Sequence, residues 1–356
     1  MKRIVVLFLV LSLLLVGCGK KKQNATETPT TEGSAQNSTE STNTENTLPT
    51  GDYRHPLTGA PLSEPWSGQA VAVMVNNLKA AMPQKGISYA DILYEIEVEG
   101  DITRCLAVFT DLTDAGIIGP IRSVRTYFNS VAASYDAPVI HCGGSPGLAL
   151  AGRYGATDDV VANWEHIDAD TSHFFRDLDR YNNGYSWEHV LFTSGTLLQK
   201  ALKTYKYDTP TDKSFGLNFE EDVALSGDDA TEITIKFKSG KKTIVNYNAA
   251  AKHYTLNMHG MEHIDGNTDK AVTFKNVIVL YTNQWYHTDG THKFYDTIGS
   301  GEGYAAINGK IVPIIWSRED VNSPYIYKMM DGTDLALEVG TSYIAVVGIK
   351  NPIAYQ

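Results

Sequence analysis

Cysteine is nearly absent from this chain: three among 356 residues, at Cys18, Cys105 and Cys142. Two cysteines in the body exclude a disulfide framework, and a domain of about 300 residues needs none to build its core. Cys105 and Cys142 are expected as buried free thiols, with a single bridge between them as the other reading. Positive charge is scarce too, 30 Lys and Arg against 41 Asp and Glu, a net charge of −11. Non-specific nucleic-acid binding rests on Lys and Arg neutralising phosphates, so nucleic acid is not an expected partner. Such a chain is also repelled on average by anionic lipid and wall polymers. The apolar run Ile4–Val16, broken only by Ser12, is too short for a comfortable span, which takes about 20 residues. No internal repeat stands out, and no cofactor or metal site is expected.

What the chain does have begins at its start. Lys2 and Arg3 precede the apolar run, in the order of a secretory leader. The run ends in Leu15-Val16-Gly17-Cys18, which resembles the lipobox of bacterial lipoproteins. That resemblance implies a leader over residues 1–17, cleavage before Cys18 and a lipid on its thiol. The alternative is an ordinary secreted protein cut at a small residue. Loss of the leader would leave 28 basic against 41 acidic side chains, a net charge of −13. The expected location is extracytoplasmic, and the membrane is a partner through the Cys18 lipid, which two acyl chains hold far better than one.

Residues 18–52 read as the lipidated cysteine and a disordered tether. Of the 32 positions from 19 to 50, twelve are Ser or Thr and none is aromatic. Such a stretch buries too little apolar surface to offset its ordering entropy. As a flexible coil it reaches about 30 Å. Lys20, Lys21 and Lys22 are placed to lean on anionic headgroups.

An α+β body follows. Residues 53–207 read as a mixed α/β N-terminal domain, 208–230 as a connection and 231–356 as a β-rich C-terminal domain, a sandwich or curled sheet. In the first part, strands are expected at 70–75, 92–98, 102–109 and 139–140, and helices at 124–135, 148–154 and 196–205. Residues 156–190 look mostly irregular. Gly100-Asp101 predicts a two-residue hairpin that sets Glu97 opposite Arg104 and Ile96 opposite Cys105. In the second part, period-two alternation predicts seven or eight short strands, with turns at Ser239-Gly240, Asn308-Gly309 and Asp331-Gly332.

Several strings carry a family resemblance: Pro56-Leu-Thr-Gly59, Val71-Ala-Val-Met-Val-Asn76, Ala90-Asp-Ile-Leu-Tyr-Glu95, Glu99-Gly-Asp-Ile-Thr-Arg104, Ile118-Gly-Pro-Ile-Arg-Ser-Val-Arg125 and His141-Cys-Gly-Gly-Ser-Pro146. With Gly299-Ser-Gly-Glu-Gly303 and Val339-Gly-Thr-Ser-Tyr343, they resemble the YerB-like lipoproteins over most of residues 53–350. The resemblance implies a two-part exported body on a lipid anchor. It implies no activity.

Three groups of residues bear on chemistry. Gly143-Gly144-Ser145-Pro146-Gly147 has the Gly-x-Ser-x-Gly form of a nucleophile elbow, with Asp168 or Asp177 and His189 downstream. Pro146 argues against it, because the usual oxyanion hole takes the N–H of the residue after the nucleophile and proline has none. The plainer reading is a tight turn in which Ser145 caps a helix. Arg122, Ser123 and Arg125 sit at an expected helix start, where free N–H groups and two guanidiniums suit a carboxylate or phosphate. Arg104, Gly144 and Ser145 are candidate neighbours of that site. Its plain alternative is internal pairing of the arginines with acids. Glu95, Glu97 and Glu99 share one strand face, as a cation site, a general acid/base pair or, more ordinarily, a solvated face. His141 and Cys142 are adjacent, point to opposite faces and cannot pair. His259 and His263 lack the order of a zinc motif.

These residues support two functions. One is a lipid-anchored extracytoplasmic protein binding a cell-envelope component, an anionic ligand or a partner protein. The other is a cell-envelope hydrolase using the Arg122, Arg125, His141 and Ser145 region, with His141, Ser145, Glu95 and Glu97 as catalytic candidates. The anchor is directly testable. Cys18→Ala is expected to leave the chain soluble or unprocessed, and acyl-protein extraction of a normally cleaved variant would overturn the lipobox assignment.

Overall fold

A computed structural model describes residue 51 and residues 53–144, 166–211, 213–237, 240–286 and 290–356. The leader with Cys18, the tether with Lys20–Lys22, Ser145 to Gly147, the helix expected over 148–154, the first part of the 156–190 stretch and Ser239 lie outside the described residues. Strands dominate what is described, and helices are few. The body is organised by one eleven-stranded sheet that draws strands from both sides of the 208–230 segment.

Its centre is a buried trio. Ile92–Glu97 pairs antiparallel with Thr103–Phe109 and parallel with Ser342–Gly348. Outward on one side lie Val71–Asn76, Val139–His141 and His166–Asp168. On the other side come Asn276–Thr282, Gly299–Ile307 and Lys310–Arg318. Val71–Asn76, Ile92–Glu97 and Ser342–Gly348 are buried along their whole length. That accounts for their near-continuous apolar sequence, since a strand covered on both faces has no solvent side to keep polar.

One cover is a second, six-stranded sheet built from the C-terminal half, with Glu232–Lys236, Lys242–Asn248 and His253–Met258 at its middle. Its Ile233, Val245, Leu256 and Phe274 share a core with Val73, Leu93, Cys105 and Ala107. The other face packs on the helix Thr126–Ala133, where Phe128 and Val131 join Met74, Tyr94 and Ile344. The sequence pattern in the second half is therefore strand, as expected, but its strands are divided between two sheets. Period-two alternation says which residues are strand and is silent on which strand is the neighbour.

Local signals account for most element ends. Ser194 caps Gly195–Tyr205 by accepting from the Leu197 N–H at 3.2 Å, and Lys206 closes the helix in a left-handed conformation. Asn308-Gly309 forms the two-residue turn expected of it, with φ of 51° and 78° and Ile307 opposite Lys310. The Gly309 N–H donates to the Tyr254 hydroxyl at 2.9 Å, tying the hairpin to the second sheet.

The hairpin at Gly100-Asp101 differs from expectation by one residue. Glu97 faces Thr103, Ile96 faces Arg104 and Glu95 faces Cys105. Val98 N–H donates to the Ile102 carbonyl at 2.8 Å, so the loop holds three residues, with Gly100 and Asp101 both at positive φ. Asp101 tolerates the left-handed region, which lets the turn use both positions and shifts the register. Ser123 is also not a helix cap: Arg125 stands at that position with no side-chain bond to the helix. The 156–190 stretch contains short elements where it is described, including His166–Asp168, Phe175–Arg176 and the helix Leu178–Asn182.

Because strands from both halves alternate in one sheet, they should unfold together. Thermal unfolding followed by tryptophan fluorescence and by far-ultraviolet circular dichroism is expected to give one coincident transition. Two separated transitions would contradict the shared sheet.

Candidate functional site

The loop carrying Arg122 runs beside the glycine-rich turn. Cys142 donates its N–H to the Arg122 carbonyl at 3.1 Å, and Val124 donates to the Gly143 carbonyl at 3.1 Å. Val124 and Gly144 form an isolated parallel bridge. The main chain thus brings Arg122, Ser123, Arg125, His141 and Gly144 to one edge of the sheet.

Three guanidiniums meet there with two carboxylates. Arg125 grips Glu99 with two nitrogens, its Nε at 2.9 Å from Oε2 and its Nη2 on Oε1. Its remaining nitrogen donates to the Val124 carbonyl at 2.7 Å. Arg104 donates to the Ser123 carbonyl at 2.6 Å and lies 3.6 Å from Glu99. Both side chains are buried. The expectation that Arg125 presents itself to an outside anion is corrected: Glu99 already occupies that fork. Arg122 is different, with 24% of its side chain exposed and a single carboxylate contact, Nη2 to Glu188 Oε2 at 2.6 Å. Burial, and then the neighbouring Arg122 charge, lower Arg104 to about 10. The Nε of Arg104 and the Nε of Arg122 are buried with no hydrogen-bond partner among the described residues.

The histidines divide differently from the triad order in the sequence. His141 Nδ1 lies 2.9 Å from the Gly143 carbonyl oxygen, which makes it the protonated nitrogen, and 3.6 Å from Asp168 Oδ1. Asp168 also accepts the N–H of Gly143 at 2.8 Å. His189 instead lies 3.0 Å from the Asn76 side chain, and burial lowers its pKa. Asp177 caps the Leu178–Asn182 helix through the Arg180 N–H and pairs with Lys85 at 3.6 Å. Asp168 therefore belongs with His141, and Asp177 with neither histidine. Cys105 and Cys142 are free thiols, and burial raises both. His263 is buried and 2.6 Å from Gln84 Oε1, and no metal-holding cluster occurs among the described residues.

The glutamate stripe is the largest departure from the sequence reading. It is no solvated face: Glu95 and Glu97 are fully buried, each facing a lysine from the C-terminal half. Lys293 Nζ lies 2.5 Å from Glu97 Oε1, and Lys241 Nζ lies 3.4 Å from Glu95 Oε1. Glu95 also accepts from Asn77 at 3.0 Å, Thr103 at 2.5 Å, Thr243 at 2.8 Å and Tyr343 at 2.6 Å. Burial alone would push its carboxyl up. Lys241 and the hydroxyl donors outweigh that and hold it below its ordinary value. A carboxylate so saturated has no lone pair free to take a substrate proton, so Glu95 is structural. Lys241, Lys293, Glu99 and Glu188 were invisible as partners in the sequence. The one available signal was three acids on a strand otherwise as apolar as its buried neighbours.

The largest cleft among the described clefts, about 610 Å³, is elsewhere, at the end of Gly299–Ile307 beside Tyr281, Tyr304 and Trp316. Gly301 is required there, since a Cβ would come within 2.6 Å of Trp316 Nε1 and 2.7 Å of the Tyr281 carbonyl. Asp296 and Glu302 line it and no basic residue does, so it is unsuited to an anion.

Fold and site together define a strand-rich body in which arginines and lysines are tied to buried or edge carboxylates, with no complete catalytic triad among the described residues. Among those residues no helix is long and apolar enough to cross a membrane. The chain belongs to the DUF3048 family of proteins of unknown function, whose N-terminal domain matches residues 57–208 and whose C-terminal domain matches residues 233–344. It is 29% identical over 299 residues to the "Putative lipoprotein YerB" of Bacillus subtilis (strain 168), covering 82% of this chain and 85% of the relative. The crystal structure of Bacillus subtilis YerB is similar at a TM-score of 0.69 and 27% identity, over 85% of this chain and 99% of that one. The lipoprotein relative agrees with a membrane-anchored, extracytoplasmic location.

The Glu95–Lys241 pair makes a sharp prediction. Glu95→Ala leaves a buried ammonium without its carboxylate and is expected to cost about 3–5 kcal/mol, while Glu95→Leu with Lys241→Met should recover most of that. Because the folded pKa of Glu95 is depressed, its contribution is present above the unfolded carboxylate value, about 4.3, and is lost as pH falls through the folded value. Urea melts across that acid range should show a shallower loss of stability in the double variant. Additive single and double effects would refute the coupling.

Proposed function

We propose that this protein is a lipid-anchored extracytoplasmic binding protein that holds an anionic component of the cell envelope at the Arg122 corner. The observation that carries the reading is the charge count there: among the described residues, Arg104, Arg122 and Arg125 share two carboxylates, Glu99 and Glu188. Arg104 and Arg125 are locked by Glu99 and by main-chain carbonyls, so they hold the loop in place. Arg122 keeps an unpartnered Nε and some exposure. Its acceptor, Glu188, is half-exposed and free to swing into water. A ligand carboxylate or phosphate replacing Glu188 would gain a charge-assisted, planar contact of the kind that guanidinium favours. Glu188 is then an internal stand-in for the ligand.

The hydrolase reading keeps one supporting observation. With Nδ1 held protonated by the Gly143 carbonyl and Asp168 nearby, His141 Nε2 has the tautomer of a general base. Ser145, its proposed nucleophile, lies outside the described residues, and Pro146 still removes the usual oxyanion donor. Labelling of the full chain by a fluorophosphonate probe, abolished by Ser145→Ala, would favour this reading over the binding one.

The binding reading is tested by thermal melts of the full chain in neutral detergent with citrate, inorganic phosphate and glycerol phosphate. Arg122→Ala should remove anion-dependent stabilisation, about 2.7 kcal/mol at a hundredfold excess over Kd, while barely moving the unliganded midpoint. Glu188→Gln should tighten binding, because it withdraws the competing carboxylate. Equal stabilisation of parent and Arg122→Ala by every anion would end the proposal.

A further inference from the structure

A second concavity of about 550 Å³ lies where the Leu78–Lys79 and Asp101–Ile102 segments meet the second sheet. In a chain with net charge −11, its lining gathers Lys79, Lys241, Lys242 and His259 against one carboxylate, Asp101. These cations do not have equal roles. Lys241 is buried and committed to Glu95 at 3.4 Å. Lys79 and Lys242 are exposed, and neither ammonium has an ion-pair partner among the described residues, although most of the chain's acids are on the surface.

His259 occupies the two-residue turn between Met258 and Met261, with φ at +57°. Its Nε2 lies 3.0 Å from the Asn77 carbonyl oxygen and 3.4 Å from Lys241 Nζ. Nε2–H therefore donates to the carbonyl, and a proton taken up later goes to Nδ1. The groups acting on the ring are all around this pocket: Lys241 and Lys79 oppose its charge, and Glu95 and the Asn77 carbonyl favour it. Burial and then Lys241 lower its pKa. An anion beside it reverses the Lys241 effect. One wall is apolar, formed by Leu78, Ile102 and Ile244.

We infer that this pocket is an oxyanion site distinct from the Arg122 corner, binding a phosphomonoester or phosphodiester group between Lys79, Lys242 and His259, with the group's carbon neighbour on the apolar wall. Two ammonium groups with free donors and an ionisable imidazole form a set that suits tetrahedral oxygen, with Lys acting as point charges rather than as planar forks. The phosphate can come from a soluble phosphate compound or from a lipid headgroup, and both present the same oxygens.

The test uses the full chain in neutral detergent with Arg122→Ala, so that the first site is silent. Titration calorimetry is run with inorganic phosphate, glycerol 3-phosphate and dihexanoyl phosphatidylglycerol. Binding is expected, and the exposed double variant Lys79→Ala with Lys242→Ala should weaken it about tenfold or more. With dihexanoyl phosphatidylglycerol, whose phosphodiester keeps one charge throughout, affinity should rise as pH falls through the lowered His259 range, and His259→Asn, which accepts the left-handed conformation, should remove that rise. Affinity for glycerol 3-phosphate equal to that for the lipid assigns a soluble source, and affinity confined to the lipid assigns a headgroup. No heat with any of the three, or equal affinity in parent and double lysine variant, overturns the inference.

Discussion

The burial of Glu95 constrains everything around it. An ionised carboxylate removed from water needs a charge partner and nearly every lone pair filled, or it is protonated or the site unfolds. Here the neighbouring strand supplies Thr103, and the loop after Val71–Asn76 supplies Asn77. The second sheet supplies Lys241 and Thr243, and the parallel neighbour supplies Tyr343. No single half of the chain provides that set. The carboxylate therefore fixes how the six-stranded sheet sits on the large one, and it holds Ser342–Gly348 in register with Ile92–Glu97. Replacing both members of the pair by apolar groups is expected to be tolerated energetically, whereas removing one is not.

Glu97 and Glu99 repeat the device toward the edge of the sheet, with decreasing burial. Glu97 meets Lys293, and Glu99 meets Arg125 and Arg104. The series ends where Arg122 is left with the exposed Glu188 and an unfilled Nε. The pairing thus runs from the buried strand Ile92–Glu97 through Glu99 in the adjoining loop to the partly exposed Arg122–Glu188 contact.

The concavities differ in the ligands they suit. The cleft beside Tyr281 and Trp316 is acid-lined and aromatic, the one beside Lys79 and Lys242 is lysine-lined, and the Arg122 corner is a loop edge. His141 and Asp168 are drawn together by the Gly143 turn.

Local patterns in the sequence were sufficient for the strands of the second half, for a helix over 196–205 and for the Asn308-Gly309 turn, because each depends on residues within a few positions. In the sequence, Arg122, Arg125, His141 and Ser145 group in one region; the structure places Arg122, Arg125 and His141 at one sheet edge, and Ser145 lies outside the described residues. The sequence by itself also determined the charge balance, the scarcity of thiols and the family. Tertiary structure alone decided that the Gly100-Asp101 loop holds three residues, that the glutamate stripe is interior and that Glu99, not a ligand, fills the Arg125 fork. It also decided that strands nearly 250 residues apart are neighbours. Each of these turns on long-range pairing. A side chain's solvation and its charge partner are set by whatever the chain folds against it, and period and propensity carry no information about that partner.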